Sequence, residues 1–135
     1  MAVTMYPYSR LAPPLSPHIF YALLALSRTA TLHPYAIRSA VLNDSLGSVD
    51  IASGRLYPLI TKLTEEGFID IIGPKPTSKS GKPRMHYAIS THGTLRLKEE
   101  LTRLNHAIKT AKSAGLLENT LDLDLQRMLL EVQSG

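Results

Sequence analysis

Ala52-Ser-Gly-Arg-Leu-Tyr-Pro-Leu-Ile-Thr-Lys-Leu-Thr-Glu-Glu-Gly-Phe-Ile69 is the stretch whose reading decides the fold. Leu56, Ile60 and Leu63 recur at intervals of four and three, one stripe of a helix facing a core. Arg55, Tyr57, Thr61 and Lys62 fall off that stripe and form a short outward face rich in hydrogen-bond donors. Gly67 closes the helix, because glycine takes the left-handed conformation that ends helices. Phe68 to Ile72 is β-branched and apolar and reads as a strand. A basic, Gly/Pro-rich loop from Gly73 to Pro83 leads to a second strand, Arg84 to Ile89.

Helix, strand, basic loop, strand is the order of a winged helix, in which the helix can enter a DNA groove and the loop can rest on phosphate. The upstream chain supplies the other helices. Ser16 is an N-cap and Pro17 the first helical residue of a helix running to about Ser27. Ile19, Phe20, Leu23, Leu24 and Leu26 leave that helix apolar on most sides, so it needs a second surface beyond its own core, such as a dimer partner. A turn from Thr31 leads into a second helix from Pro34 to about Leu42, with Tyr35, Ile37, Ala40 and Val41 on its buried side. Asn43 to Ser48 is a polar loop, Val49 to Ile51 is expected to pair briefly as a strand at the wing edge, and Asp50 or Ser53 is expected to cap the third helix. These two helices make the helix-turn-helix. Pro58 would cost about 3 kcal/mol deep in an isolated helix, but it lies within the second turn at most and removes at most one internal bond.

The residues then carry a specific resemblance. Leu56-Tyr57-Pro58, Leu59, Leu63, Glu65-Glu66-Gly67 and the strand at Ile69 resemble the PadR family of winged-helix transcription regulators. Tyr87-Ala88-Ile89-Ser90-Thr91-His92-Gly93 is similar to the family's Tyr-x-Leu-Thr-x-x-Gly, and His33-Pro34-Tyr35-Ala36-Ile37 to its Gly-Tyr-x-Ile. The match covers roughly His18 to Leu104 in the right order. Ala52 and Ser53 depart from the family's capping Ser and Pro, and His33-Pro34 from its Gly. The resemblance implies a mainly α fold with a small β wing, a winged helix-turn-helix plus C-terminal dimerisation helices. It implies a homodimeric, sequence-specific regulator of double-stranded DNA, a repressor acting by occupancy. Two recognition helices about 34 Å apart call for an inverted-repeat operator.

On this reading residues 1–15 are a flexible N-terminal arm, 16–90 the DNA-binding domain and 91–135 a helical dimerisation region. Arg55 and Lys62 are the candidate groove contacts, with Ser53, Gly54 and Tyr57 near the DNA backbone. Tyr57 keeps two readings: its hydroxyl donates to DNA, or its ring packs half-buried against the wing and braces the helix. Lys75, Lys79, Lys82 and Arg84 are candidate phosphate contacts; a charge run is often only a solvated face, but this one follows the candidate recognition helix by one strand. Thr91 is expected to cap a long fourth helix ending near Ser113, where Gly115 breaks it. Leu97, Leu101, Leu104, Ile108 and Ala111 form a heptad seam of barely two repeats, too short for an isolated coiled coil and suited to a dimer interface with Phe20 and Leu23. Leu121, Leu125, Met128, Leu129 and Val132 give a final amphipathic helix.

Composition agrees. The 135 residues carry a net charge of +4, but residues 114–135 hold Glu118, Asp122, Asp124 and Glu131 against Arg127 alone, a net −3 that leaves +7 on the rest. A basic body suits a polyanion. The absence of Cys excludes disulfides and thiolate chemistry and fits a cytoplasmic protein. No apolar run approaches the roughly 18–20 residues that span a bilayer, and no charged start precedes an apolar signal core.

Enzyme signatures are not found. The five histidines lack H-E-x-x-H spacing, and His86 and His92 have no acidic or thiol companion, so no metal is expected. Ser80-Gly81-Lys82 lies between strands rather than before a helix, so no nucleotide site is read, and Glu65-Glu66 reads as a solvated helix end. A non-enzyme without cofactors is expected. The resemblance allows a small-molecule effector, aromatic or phenolic in some members; with no Trp and two Phe, a slot for one would use Phe20 or tyrosines. Two rivals stay open: a winged helix used as a protein-interaction module, and a non-specific architectural DNA-binding protein.

Overall fold

The computed structural model describes residues 11–77, 81–117 and 123–134. The helices are α1 (Pro17–Ser27), α2 (Pro34–Asp44), α3 (Ser53–Glu65), α4 (Thr91–Ser113) and α5 (Leu123–Ser134), with strands β1 (Ile69–Lys75) and β2 (Arg84–Ile89) between α3 and α4. The chain divides into two compact units: Leu15–Leu97, and residues 98 onward together with the segment before Leu15.

The first unit holds α1, α2, α3, the sheet and the start of α4. Ser16 Oγ accepts the Ile19 N–H and Pro17 opens α1, as the sequence leads one to expect. Leu23, Leu26, Ile37, Val41, Leu56, Ile60 and Leu63 converge in one core, with Val49, Ile51, Phe68, Ile69, Tyr87 and Leu97 around them. The stripe read along α3 is therefore its buried face. An ion pair ties the end of α1 to the end of α2: Arg28 Nη1 donates to Asp44 Oδ1 at 3.0 Å, and Nη2 lies 2.7 Å from Oδ2.

Local chemistry sets the joints. Gly67 takes φ +76°, its N–H donates to the Thr64 carbonyl, and the Phe68 N–H donates to the Leu63 carbonyl at 2.9 Å, closing α3. β1 and β2 pair antiparallel from Ile69–Ile89 to Lys75–Arg84, with a bulge between Ile71 and Gly73. β1 thus starts one residue after Phe68, which turns into the core instead.

Three expectations are corrected. Val49 to Ile51 forms no strand: the Val49 N–H is held by Ser45 Oγ at 2.9 Å, and the Val49 and Ile51 side chains go into the core. The wing's third partner is Leu32, whose N–H and carbonyl exchange hydrogen bonds with Tyr87. Neither Asp50 nor Ser53 caps α3: Ala52 occupies the N-cap without a side-chain bond, Ser53 is already helical, and Asp50 pairs with Arg38 at 3.6 Å. The cap of α4 is Ser90, not Thr91. Ser90 Oγ accepts the Gly93 N–H at 2.9 Å and donates to the Gly67 carbonyl at 2.5 Å, so one hydroxyl ties the end of α3 to the start of α4. Thr91 is the first helical residue.

In the second unit α4 ends at Ser113 and Gly115 follows at φ +79°, with the Leu116 N–H donating to the Ala111 carbonyl. Arg103 bonds both Glu100 and the Ala12 carbonyl, so the segment before Leu15 is held, while residues 1–10 lie outside the described residues. In the first unit Leu15 packs on the core. Of the stripe expected in the last helix, Leu121 and the side chain of Leu125 lie outside the described residues, and Met128 and Val132 are exposed.

Candidate nucleic-acid interface

The outward side of α3 follows from its buried side. With Leu56, Ile60 and Leu63 turned in, Ser53, Gly54, Arg55, Tyr57, Pro58, Thr61 and Lys62 are all exposed. Tyr57 is 52% exposed, and among the described residues its hydroxyl has no hydrogen-bond partner. Its phenol is thus available as a donor. Arg55 and Lys62 stand two turns apart, and among the described residues neither has an ion-pair partner. Gly54 has open space where a side chain would stand.

The exposed residues of α3 divide into two flanks. Tyr57 and Thr61 lie on one. Arg55, Lys62 and the half-buried Leu59 lie on the other, Pro58 stands between the two flanks, and these four with Ile51 and His18 of α1 line an open cleft of about 340 Å³. The sequence alone does not assign His18 to the site. Its place two residues after the Ser16 cap gave only a helix start, not its proximity to α3.

The wing carries the second group of cations. Lys75, Lys82 and Arg84 are exposed. Lys79 lies outside the described residues, with Ser78 and Ser80. Lys75 and Arg84 are direct partners across the ladder, so both point to one face of the sheet. The Arg84 guanidinium sits 5.6 Å from the centre of the Tyr35 ring, a cation–π contact that fixes it at the start of α2. Tyr35 is a second supporting residue that sequence reasoning assigned to the core; it is 44% exposed because it serves Arg84 rather than the interior.

His33 links the wing to α2. Its Nδ1 accepts the Ala36 N–H at 3.3 Å and caps α2 in the place of a serine. Its ring meets His86 edge-on with centres 5.5 Å apart, and the His86 Nδ1 lies 2.7 Å from the Arg84 carbonyl. Burial, then the nearby His86 and Arg84, hold the His33 imidazole below its ordinary titration range. A neutral ring is what the cap requires, since a protonated Nδ1 cannot accept.

The candidate dimer residues fall in three classes. Leu23 has no exposed surface and Leu97 is 4% exposed; both are core side chains of the first unit, which removes them from any surface a partner can reach. Phe20 is half-buried, its ring edge-on to Tyr21. Leu101, Leu104 and Ile108 form an exposed apolar seam along α4, each about 40% exposed.

Among the described residues no group of three or more His, Asp or Glu is placed to hold a metal ion, and no helix is long and apolar enough to cross a membrane.

Comparison with known proteins places this arrangement. Residues 23–99 match the family described as transcriptional regulator PadR-like. A PadR-like transcriptional regulator from Bacillus cereus is similar in structure at 21% identity, covering 74% of this chain and 92% of its own, with a TM-score of 0.59. A transcriptional regulator from Thermoplasma acidophilum is similar at 22% identity over 78% of this chain and 93% of its own, TM-score 0.54. One from Clostridium thermocellum is similar at 17% identity over 71% and 87%, TM-score 0.54. No curated protein matches the chain in sequence.

Proposed function

This chain belongs to the PadR-like family of transcriptional regulators, and from that premise we propose that it binds double-stranded DNA as a homodimer at an inverted-repeat operator and represses by occupancy. The observation that carries the reading is the pair of cation groups in one unit: Arg55 and Lys62 exposed on α3, Lys75 and Arg84 exposed on the wing. A helix that presents a guanidinium and an ammonium two turns apart fits a major groove, where Arg or Lys reads guanine edges. A wing whose two strands place cations opposite one another fits the phosphates beside that groove.

In this reading residues 16–90 bind DNA, with Ser53, Gly54 and Tyr57 at the helix start beside the sugar–phosphate backbone and Lys82, with Lys79, extending the wing's contacts. Residues 91–135 form the dimer through the Leu101–Leu104–Ile108 seam, whose exposed leucines and isoleucine need a cover. The protein is a binder rather than an enzyme, works in the cytoplasm and takes no cofactor.

The test is a duplex-binding titration at several salt concentrations with unrelated DNA as competitor. Specific regulation predicts a steep fall of affinity with salt and a preference for the operator of at least about 10³-fold over unrelated duplex. Steep salt dependence without preference would support an architectural DNA-coating protein. No retention by duplex even at low salt would turn the basic face toward an acidic protein partner.

A further inference from the structure

We infer that the cleft between α3 and α1 reads a pyrimidine 5-methyl group, in unmodified DNA that of thymine, with Pro58 and Leu59 as its apolar floor and Arg55 and Lys62 as its cationic rim. The inference rests on the DNA-binding reading above and adds a base to it.

The geometry starts from the helix. Leu56, Ile60 and Leu63 are buried, and Pro58 lies roughly 140–160° around the helix axis from each of them. An imino acid therefore stands at the middle of the face that the reading sends into the groove, and it is exposed. Proline has no side-chain donor or acceptor, so it reads no hydrogen-bonding edge. Beside it the half-buried Leu59 extends an apolar surface, and the two share the cleft with His18, Ile51, Arg55 and Lys62.

Only one feature of unmodified major-groove edges matches an apolar surface: the thymine methyl. Amide, amino and carbonyl edges placed on Pro58 and Leu59 would lose water and gain no partner. The rim suits the remainder of a nucleotide step. Arg55 and Lys62 sit one turn to either side of Pro58 and Leu59, and among the described residues no acid lines the cleft. A neighbouring guanine edge or a phosphate oxygen completes each cation while the methyl closes the floor. Pro58 thereby acquires a role beyond a tolerated break in the helix: it makes an uncharged, rigid contact in the middle of a polar face.

The experiment uses the full chain and its selected operator. Each thymine is replaced in turn by deoxyuridine, which removes only the methyl, and affinity is read by fluorescence anisotropy at fixed salt. The expected result is one position per half-site at which affinity falls by about four-fold, the value of one buried methyl-sized group. Pro58→Ala should bind that operator more weakly and lose its sensitivity to deoxyuridine at the same position. If the thymine scan is flat but 5-methylation of one cytosine raises affinity only with Pro58 present, the methyl comes from modified cytosine and the cleft keeps its role. Operator preference with a flat scan in both arms overturns the inference and leaves DNA recognition standing. So does a Pro58→Ala variant that still senses the methyl. If no operator is found, it is the sequence-specific DNA reading that has failed, and with it the inference built on that reading.

Discussion

Lys75 and Arg84 are direct partners at the far end of the β1–β2 ladder. Two like charges opposite one another on antiparallel strands repel, by a few tenths to about 1 kcal/mol. Arg84 is steadied by the Tyr35 ring, while Lys75 has no ion-pair partner among the described residues. A phosphate placed between them turns the repulsion into two attractions. Lys75→Ala is therefore expected to leave thermal stability unchanged or slightly raised. It should weaken binding to any duplex alike and lower the slope of log affinity against log salt by about one unit. A slope equal to the wild type would take the wing out of the interface.

The α4 seam makes a separate prediction. Leu101, Leu104 and Ile108 stand exposed on one face at intervals of three and four. A charge in that seam would be desolvated by a partner helix but not in a monomer. Leu104→Glu is expected to convert a dimeric mass in solution to a monomeric one while circular dichroism stays that of the wild type. A dimer that survives Leu104→Glu would place the interface elsewhere.

Gly93 shows which of two opposed effects wins. In an exposed helix, Gly→Ala stabilises by about 1 kcal/mol. At Gly93 a Cβ would collide with the Phe68 carbonyl and crowd the Ile89 side chain. The carbonyl is backbone, and it already accepts the Ser90 N–H at 3.0 Å, so it cannot simply move aside. Overpacking of this kind costs about 1–3 kcal/mol. Gly93→Ala is expected to lower the urea midpoint despite the gain in helix propensity; a raised midpoint would mean that α4 shifts freely against the sheet.

His33 gives the fold a pH dependence of definite sign. The folded state holds the imidazole below its ordinary value of 6.5 through burial, His86 and Arg84. Between that lowered value and about 6.5 the unfolded chain binds more protons than the folded one, so stability falls as pH falls through this window. Above it the contribution is fully present. Asparagine caps helices without titrating. His33→Asn is expected to keep the stability seen near pH 7.5 to within about 1 kcal/mol and to flatten its decline toward roughly pH 5. Parallel declines in the two proteins would show that the loss comes from other groups.

The stripe Leu56–Ile60–Leu63, the closing Gly67, the Ser16–Pro17 start and the strand Arg84–Ile89 were legible because each is a local rule written in consecutive residues. What escaped depends on residues distant in sequence. Val49 and Ile51 have β-forming side chains, yet Ser45 takes the Val49 N–H and the core takes both side chains. Leu32 joins the wing through Tyr87, a separation along the chain that no local pattern encodes. Thr91 and Ser90 are both capping residues; Ser90 wins because its hydroxyl also reaches the Gly67 carbonyl. The heptad through Leu97 is continuous in sequence but divided in space, since Leu97 is core and Leu101 onward is surface. Of the site, the cations were visible as residue types. Tyr35 beneath Arg84 and His18 in the cleft shared with Arg55 were not.

The central claim is sequence-specific recognition by a dimer through α3. Its most direct test is selection of bound sequences from a random duplex pool, carried out with the wild type and with Arg55→Ala, with the solution mass recorded alongside. The account predicts an inverted repeat whose half-sites lie about one helical turn apart or a multiple of it, a dimeric mass, and a motif that loses information at one position per half-site in Arg55→Ala, for a loss of about 1–3 kcal/mol there. Enrichment of no motif by the wild type, or an Arg55→Ala motif identical to it with affinity lowered equally for every sequence, would contradict the account.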